Sequence, residues 1–201
     1  MTTILLSNSA ANLTSALEAF KGTVTVEAEF GDGLVSGTLA TLAHHGKRAA
    51  NPPPCTFGNE DFDQERQSGI EAIGLSHLDL DALGGVMAVL GCKPGPASFW
   101  ELAGFVDING VHKLKTFQGP NFELNKKRLM AWHAWSEGNK CYPPRDGSVL
   151  ECTAFVVKAM DIIGRILQDD EELLKAGEEF EAKGEALNKS SFVEMKDGVV
   201  Y

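Results

Sequence analysis

Ile70-Glu71-Ala72-Ile73-Gly74-Leu75-Ser76-His77-Leu78-Asp79-Leu80-Asp81-Ala82-Leu83-Gly84-Gly85 is the stretch that decides the fold class. Residues 70–76 form a short, mostly apolar run bounded by polar signals, which suits a buried strand. The run opens into a loop carrying His77, Asp79 and Asp81, and residues 82–90 read as a helix. A buried strand followed by a polar loop and a helix is the building unit of α/β sheets. Such sheets place ligands just beyond the carboxyl ends of their strands.

On the N-terminal side, Leu13, Leu17 and Phe20 recur at helical spacing within residues 8–21, and Gly22 stops that helix. Thr23 to Phe30 alternates and is rich in β-branched residues, Gly31-Asp32-Gly33 has hairpin-turn chemistry, and Leu34 to Leu42 reads as the returning strand. That strand runs into Ala43-His44-His45-Gly46 and then a loop stiffened by Pro52-Pro53-Pro54. On the C-terminal side, helices are expected over 97–106, over about 120–137, and from about Ser148 through Leu167. Residues 169–189 are strongly acidic and read as a solvated helical face, with a small hairpin at Asp197-Gly198. The expectation is an α/β or α+β fold in one domain spanning 1–201, with a strand-rich, sheet-forming segment over 1–80 and a mainly helical one over 81–190.

Composition bounds the function. The chain has 201 residues, 18 basic and 28 acidic side chains and a net charge of −10. An acidic protein lacks the basic stripe that duplex nucleic acid requires, and no apolar run approaches the length of a membrane span. Residues 1–7 lack the basic region and apolar core of a signal peptide. Cys55, Cys92, Cys141 and Cys152 are far apart with no C-x-x-C pair, which points to reduced, inert thiols and a cytoplasmic protein. The glycine-rich phosphate and dinucleotide loops and the G-x-S-x-G elbow are absent from the sequence.

The chemistry concentrates in a few polar residues. In extended backbone, His77, Asp79 and Asp81 share one face. Two carboxylates and an imidazole so clustered raise one another's energy unless a cation lies between them. Oxygen-rich ligation with some imidazole suits Mn²⁺, Zn²⁺ or Fe²⁺, with Mg²⁺ also compatible. The alternative is that one Asp caps the helix and His77 sits at a loop edge. Gly84-Gly85 lets backbone approach a ligand closely. His44 and His45 point to opposite faces of a strand unless it ends there, and Gly46 signals an end. Asp107 and His112 flank an Asn-Gly turn that can present both to one pocket. His133, between Trp132 and Trp135, is either part of an aromatic cluster or a further ligand or acid.

Ser76 to Gly85 resembles the first motif of the DHH phosphoesterases, a His-x-Asp-x-Asp followed by a small residue and Gly. The namesake Asp-His-His motif of that family is similar to Ala43-His44-His45, and its basic, Asn-Pro-containing stretch to Lys47-Arg48-Ala49-Ala50-Asn51-Pro52. Here the His-His pair precedes the His-x-Asp-x-Asp motif rather than following it, and Ala43 stands at the family's Asp. The resemblance implies a metal-dependent phosphoester or phosphoanhydride hydrolase. It implies metal at His77, Asp79 and Asp81, and metal or phosphate contacts from His44 and His45.

Together these readings predict a metal-dependent hydrolase of a small phosphorylated or otherwise anionic substrate. Asp107 would complete the ligand set, Lys47 and Arg48 would neutralise the substrate anion, and His112 or His133 would relay protons. A non-catalytic metal- or ligand-binding protein derived from such a hydrolase is the alternative, and an acidic helical interaction module built on 169–189 a third.

Overall fold

The computed structural model describes residues 2–30, 33–63, 67–190, 195–196 and 199–200. Its organising element is a five-stranded mixed sheet of order β5-β2-β6-β1-β7. The strands are β1 (Thr3–Leu6), β2 (Thr23–Val26), β5 (Ala40–Leu42), β6 (Ala72–Leu75) and β7 (Leu150–Glu151). The first four run parallel to their neighbours, and β7 closes the edge antiparallel to β1. The chain is therefore mixed α/β. No helix among the described residues is long and apolar enough to cross a membrane.

The period-two alternation of strand side chains divides the core in two. Leu5 and Ala72 face α1 (Ala10–Leu17), where they meet Leu13 and Leu17. Ile4, Leu6, Ile73 and Leu75 face the opposite layer, built from α2 (Leu80–Val89), α3 (Ala97–Asn109), α4 (Phe122–Gly138) and α5 (Thr153–Leu167). This second core runs continuously from Ile4 to Leu167, so the strand-rich and helical segments share it. The last helix, α6 (Glu171–Ser190), rests Leu173 and Leu174 against that core. Lys127 of α4 pairs with its Glu178 at 2.9 Å. Arg128, 8% exposed, grips both oxygens of Asp169 at 2.8 and 3.0 Å, fixing α4 to the turn between α5 and α6. The acidic helix thus has a packed face as well as a solvated one.

Several local expectations need correction. Residues 23–42 do not form one long hairpin. A small antiparallel pair, β3 (Glu29–Phe30) with β4 (Gly33–Leu34), occupies the turn, and the chain then returns so that β5 runs parallel to β2. The break comes at Glu27, whose φ of +48° ends β2. β1, which the sequence reading passes over, pairs with both β6 and β7. The helix expected from 97 to 106 continues to Asn109, so Asp107 lies on its last turn rather than on an Asn-Gly turn. The helix expected from Ser148 begins at Thr153 because β7 intervenes. The C-terminal hairpin is present as β8 (Met195–Lys196) paired with β9 (Val199–Val200), its Asp197-Gly198 turn lying outside the described residues.

Gly84 and Gly85 serve packing rather than a ligand. A Cβ on Gly84 would stand 2.5 Å from Cys55 Cβ and 2.8 Å from the Trp100 ring, and one on Gly85 would stand 2.7 Å from Pro54 and Val26. Their bare backbone lets α2 lie directly on the short 3-10 turn Pro54–Thr56. Gly84→Ala is therefore expected to destabilise the protein by about 1–3 kcal/mol through overpacking. Gly164→Ala, on α5 where a Cβ meets nothing within 4 Å, should instead gain about 0.5–1 kcal/mol from helix propensity. Urea unfolding of both variants checks the pair, and equal effects would refute the packing assignment.

Candidate metal centre

The strand register builds the site. Val26, Leu42 and Leu75 are aligned across β2, β5 and β6, so the residues that follow each strand emerge along one edge of the sheet. Those residues are Glu27, Ala43-His44-His45 and Ser76-His77. The left-handed backbone of Glu27, a conformation non-glycine residues rarely adopt, turns its side chain under the strand ends, where it is 2% exposed. β5 has ended by residue 43, which frees both histidines from strand alternation, and both imidazoles reach Glu27.

Around His44 Nε2 stand three carboxylate oxygens: Asp107 Oδ2 at 3.0 Å, Asp81 Oδ2 at 3.5 Å and Glu27 Oε1 at 3.8 Å. All four atoms are buried and lack a hydrogen-bond partner among the described residues. Buried polar atoms without partners are uncommon in native proteins and point to an ion, a water or a catalytic role. Ligands about 2.0–2.2 Å from one ion lie roughly 3–3.6 Å from each other, and the His44 distances fall in or close to that range. His44, Asp81 and Asp107 therefore form a group able to hold a metal ion, as do Glu27, His44 and His45.

The second oxygen of Glu27 faces the other way. Its Oε2 lies 3.0 Å from His45 Nε2 and 3.9 Å from His77 Nε2, and His77 Nε2 lies 3.4 Å from Asp79 Oδ2. The orientation of His77 is fixed from behind. The Ser76 hydroxyl donates its one proton to the Glu27 carbonyl, so at 3.0 Å from His77 Nδ1 it can only accept. Nδ1 must then carry a hydrogen, leaving Nε2 turned toward the two carboxylates. This is the kind of outer support that orients metal-binding histidines.

The extended arrangement expected for His77, Asp79 and Asp81 is not what holds them. Asp79 is the N-cap of α2, its Oδ1 accepting from Ala82 N–H at 2.8 Å, and Asp81 lies in the first helical turn. The two aspartates diverge: Asp79 turns to His77, whereas Asp81 turns inward to His44, its Oδ1 accepting from Cys55 N–H at 2.9 Å. His77 and Asp81 are thus joined through Glu27 and His44 rather than along a shared face.

The electrostatics fit such a cluster. Burial, then the Asp81 charge, pushes the Glu27 carboxyl up to about 8. Burial raises Asp81 to about 6 despite its bonds from Cys55, and burial and Asp79 raise Asp107. Burial acts to raise Asp79 as well, but His77 and the backbone N–H groups of Ala82 and Asp81 hold it below its usual value. The hydrogen bond that the His77 imidazole donates to the Asp79 carboxylate raises His77.

A cavity of about 500 Å³ opens onto this cluster, with His77, Asp79, Asp81 and Asp107 at one end. Trp132, His133 and Trp135 line it as well. Burial lowers the pKa of His133, and its Nε2 has no hydrogen-bond partner among the described residues. His133 belongs to the cavity wall and to neither ligand group. Three of the expected site residues reach neither the cluster nor the cavity. His112 is exposed on the 3-10 stretch Val111–Thr116 and does not line the cavity. Arg48 pairs with Glu29 at 3.3 Å, and neither it nor Lys47 lines the cavity. The site residue that sequence reasoning misses is Glu27. In the alternating run Thr23-Val24-Thr25-Val26-Glu27-Ala28 it shares the parity of Thr23 and Thr25, so the pattern places it on the polar face and gives no signal of burial.

Comparisons of the chain with protein-family models, with curated proteins and with solved structures find no match.

The raised carboxyls and the raised His77 have one sign. Each binds its proton more tightly in the folded state, so its contribution is full below the unfolded value and is lost as pH rises through the folded one. For Glu27 that window runs from 4.5 to about 8. In EDTA, urea unfolding should show stability falling from pH 5 to pH 8, by at most about 1.4 kcal/mol per pH unit for each proton involved. Glu27→Gln should flatten the slope and leave the metal-free protein more stable than the parent at pH 8. A flat or rising profile in the parent would contradict this account of the cluster.

Proposed function

We propose that this chain is a metal-dependent hydrolase of a small phosphorylated or otherwise anionic substrate. The observation that carries the reading is the buried convergence of His44 Nε2 with oxygens of Glu27, Asp81 and Asp107, all four atoms lacking hydrogen-bond partners among the described residues, beside a cavity of about 500 Å³ that Asp81 and Asp107 line. Carboxylates gathered in a largely buried site without a counter-charge are costly, and a divalent cation would offset that cost.

The two oxygens of Glu27 face different histidines, Oε1 toward His44 and Oε2 toward His45. His44, Asp81 and Asp107, or Glu27, His44 and His45, would hold an ion, with His77 and Asp79 standing beside Glu27 Oε2. The donors are oxygen and imidazole nitrogen, without thiolate, a set that suits Mn²⁺, Fe²⁺ or Zn²⁺ and admits Mg²⁺. Bound ions supply Lewis acidity at the scissile group and acidify water near neutral pH. The protein's own part is to hold the ligands rigidly, through Ser76 behind His77 and the Cys55 amide behind Asp81, and to seat the substrate in the adjoining cavity.

The resemblance of residues 76–85 to the DHH phosphoesterase motif supports a phosphoester as the bond cleaved. The four cysteines are all free thiols, which supports placing the protein in the cytoplasm.

Metal analysis of protein purified without a His tag, before and after reconstitution with Mn²⁺, tests the reading. At least one ion per chain is expected, lost in Glu27→Ala and Asp81→Ala. Phosphoester hydrolysis should depend on that metal and fall by about 10²-fold or more in either variant, the scale on which loss of metal support acts. Metal content that stays near zero after reconstitution would overturn the proposal. Tight metal with no turnover of phosphodiester, phosphomonoester or pyrophosphate would leave a metal-binding protein instead.

A further inference from the structure

The cavity beside the ligand cluster has two kinds of lining, acidic and aromatic, and the aromatic part bears on what the bound molecule looks like away from the metal. Beyond Asp79, Asp81 and Asp107, the walls are Val106, Leu129, Trp132, Trp135 and Phe155, with Tyr142 at the rim. The aromatic rings form a continuous surface: Trp132 and Trp135 have centroids 5.1 Å apart, and Trp135 and Phe155 6.1 Å apart. Trp132 is 5% exposed, so its ring is fixed within the core, whereas Tyr142 is 69% exposed.

Cationic groups are scarce there. Among the described residues Lys140 is the only lysine or arginine on the lining, and its ammonium already faces Glu137 at 3.4 Å; Lys158, off the lining, has its ammonium 5.9 Å from the Trp135 ring centre and donates to Asn139 at 3.0 Å. The basic pair next to the His motif, Lys47 and Arg48, does not line the cavity. A polyanion extending beyond the metal end would therefore meet apolar rings rather than counter-charges. The neutral polar groups on this lining include Ser136, Asn139 and His133, and His133 Nε2, without a partner among the described residues, can make a single hydrogen bond to an occupant.

We infer that the substrate is a phosphate ester whose alcohol part is an aryl or similarly flat apolar group, lodged against Trp132, Trp135 and Phe155, with its only anionic group at the ligand cluster. The inference rests on the hydrolase reading and specifies its substrate. Aromatic surface supplies binding energy and ring-on-ring geometry, and a volume of about 500 Å³ admits a molecule of that size. The reaction balances as water adding to phosphorus while the P–O bond to the aryl oxygen breaks. Water's two hydrogens end on the released phenol and on phosphate, with no oxidant or reductant involved.

The test uses the full chain loaded with Mn²⁺ and compares phenylphosphonate with methylphosphonate by calorimetry, and hydrolysis of phenyl phosphate with that of methyl phosphate and inorganic pyrophosphate. Phenylphosphonate should bind about tenfold or more tightly than methylphosphonate, the order expected for burying one aromatic ring. Trp135→Ala should remove most of that difference while leaving methylphosphonate affinity and metal content unchanged. Tyr142→Ala, at an exposed position that cannot unfold the core, should reduce it by a smaller factor. Equal affinities for the two phosphonates, no binding of either, or a preference for pyrophosphate would overturn the inference. Discriminating binding without turnover would sustain it while removing the hydrolase reading, and turnover without discrimination would do the reverse.

Discussion

The constraint on which the rest of the structure depends is the confinement of like charges around His44 Nε2. Glu27 and Asp81 are each 2% exposed, and Asp107 joins them within the reach of one imidazole. Nothing in local propensity favours such a gathering. It exists because Val26, Leu42 and Leu75 are held in register by three parallel strands, so that whatever follows them must emerge side by side. The backbone of Glu27 shows the stress of the arrangement most directly, since a left-handed glutamate persists only where its surroundings over-determine it.

Much of the architecture was legible in the sequence because it follows from periodicity. The buried run before His77, the helix after it and the apolar stripe of Phe155 to Leu167 lie where pattern places them. What pattern could not supply was strand direction. Residues 34–42 look like the second arm of a hairpin, and only the early end of β2 at Glu27, followed by the diversion through β3 and β4, makes β5 parallel instead. Strand β1 escaped notice because Ile4-Leu5-Leu6 is too short a run to separate from a helical fragment.

The site was half legible for a related reason. His77, Asp79 and Asp81 were visible as a polar knot after a buried strand, and His44 and His45 as a pair at a strand end. The knot's alternation points to extended backbone, whereas Asp79 starts the helix and sends Asp81 inward. Asp107, next to an Asn-Gly pair, reads as a turn residue but lies on the last turn of α3. Glu27 was hidden by its neighbours: in an apparently alternating strand a lone glutamate reads as a solvent-facing residue, and only two-sided burial of the strand makes it part of the interior. His112 failed for the opposite reason. Proximity in sequence to Asp107 did not survive Gly110, which turns the chain away after α3.

The proline-rich segment before α2 has a consequence of its own. Pro52, Pro53 and Pro54 carry no amide hydrogen, so Cys55 is the first residue after Asn51 whose backbone can donate, and that donor goes to Asp81. The segment behaves as a ruler with one usable mark. Shortening or lengthening it by a single residue would shift the only suitable amide off the aspartate, so this loop, unlike most surface connections, has little freedom to drift in length.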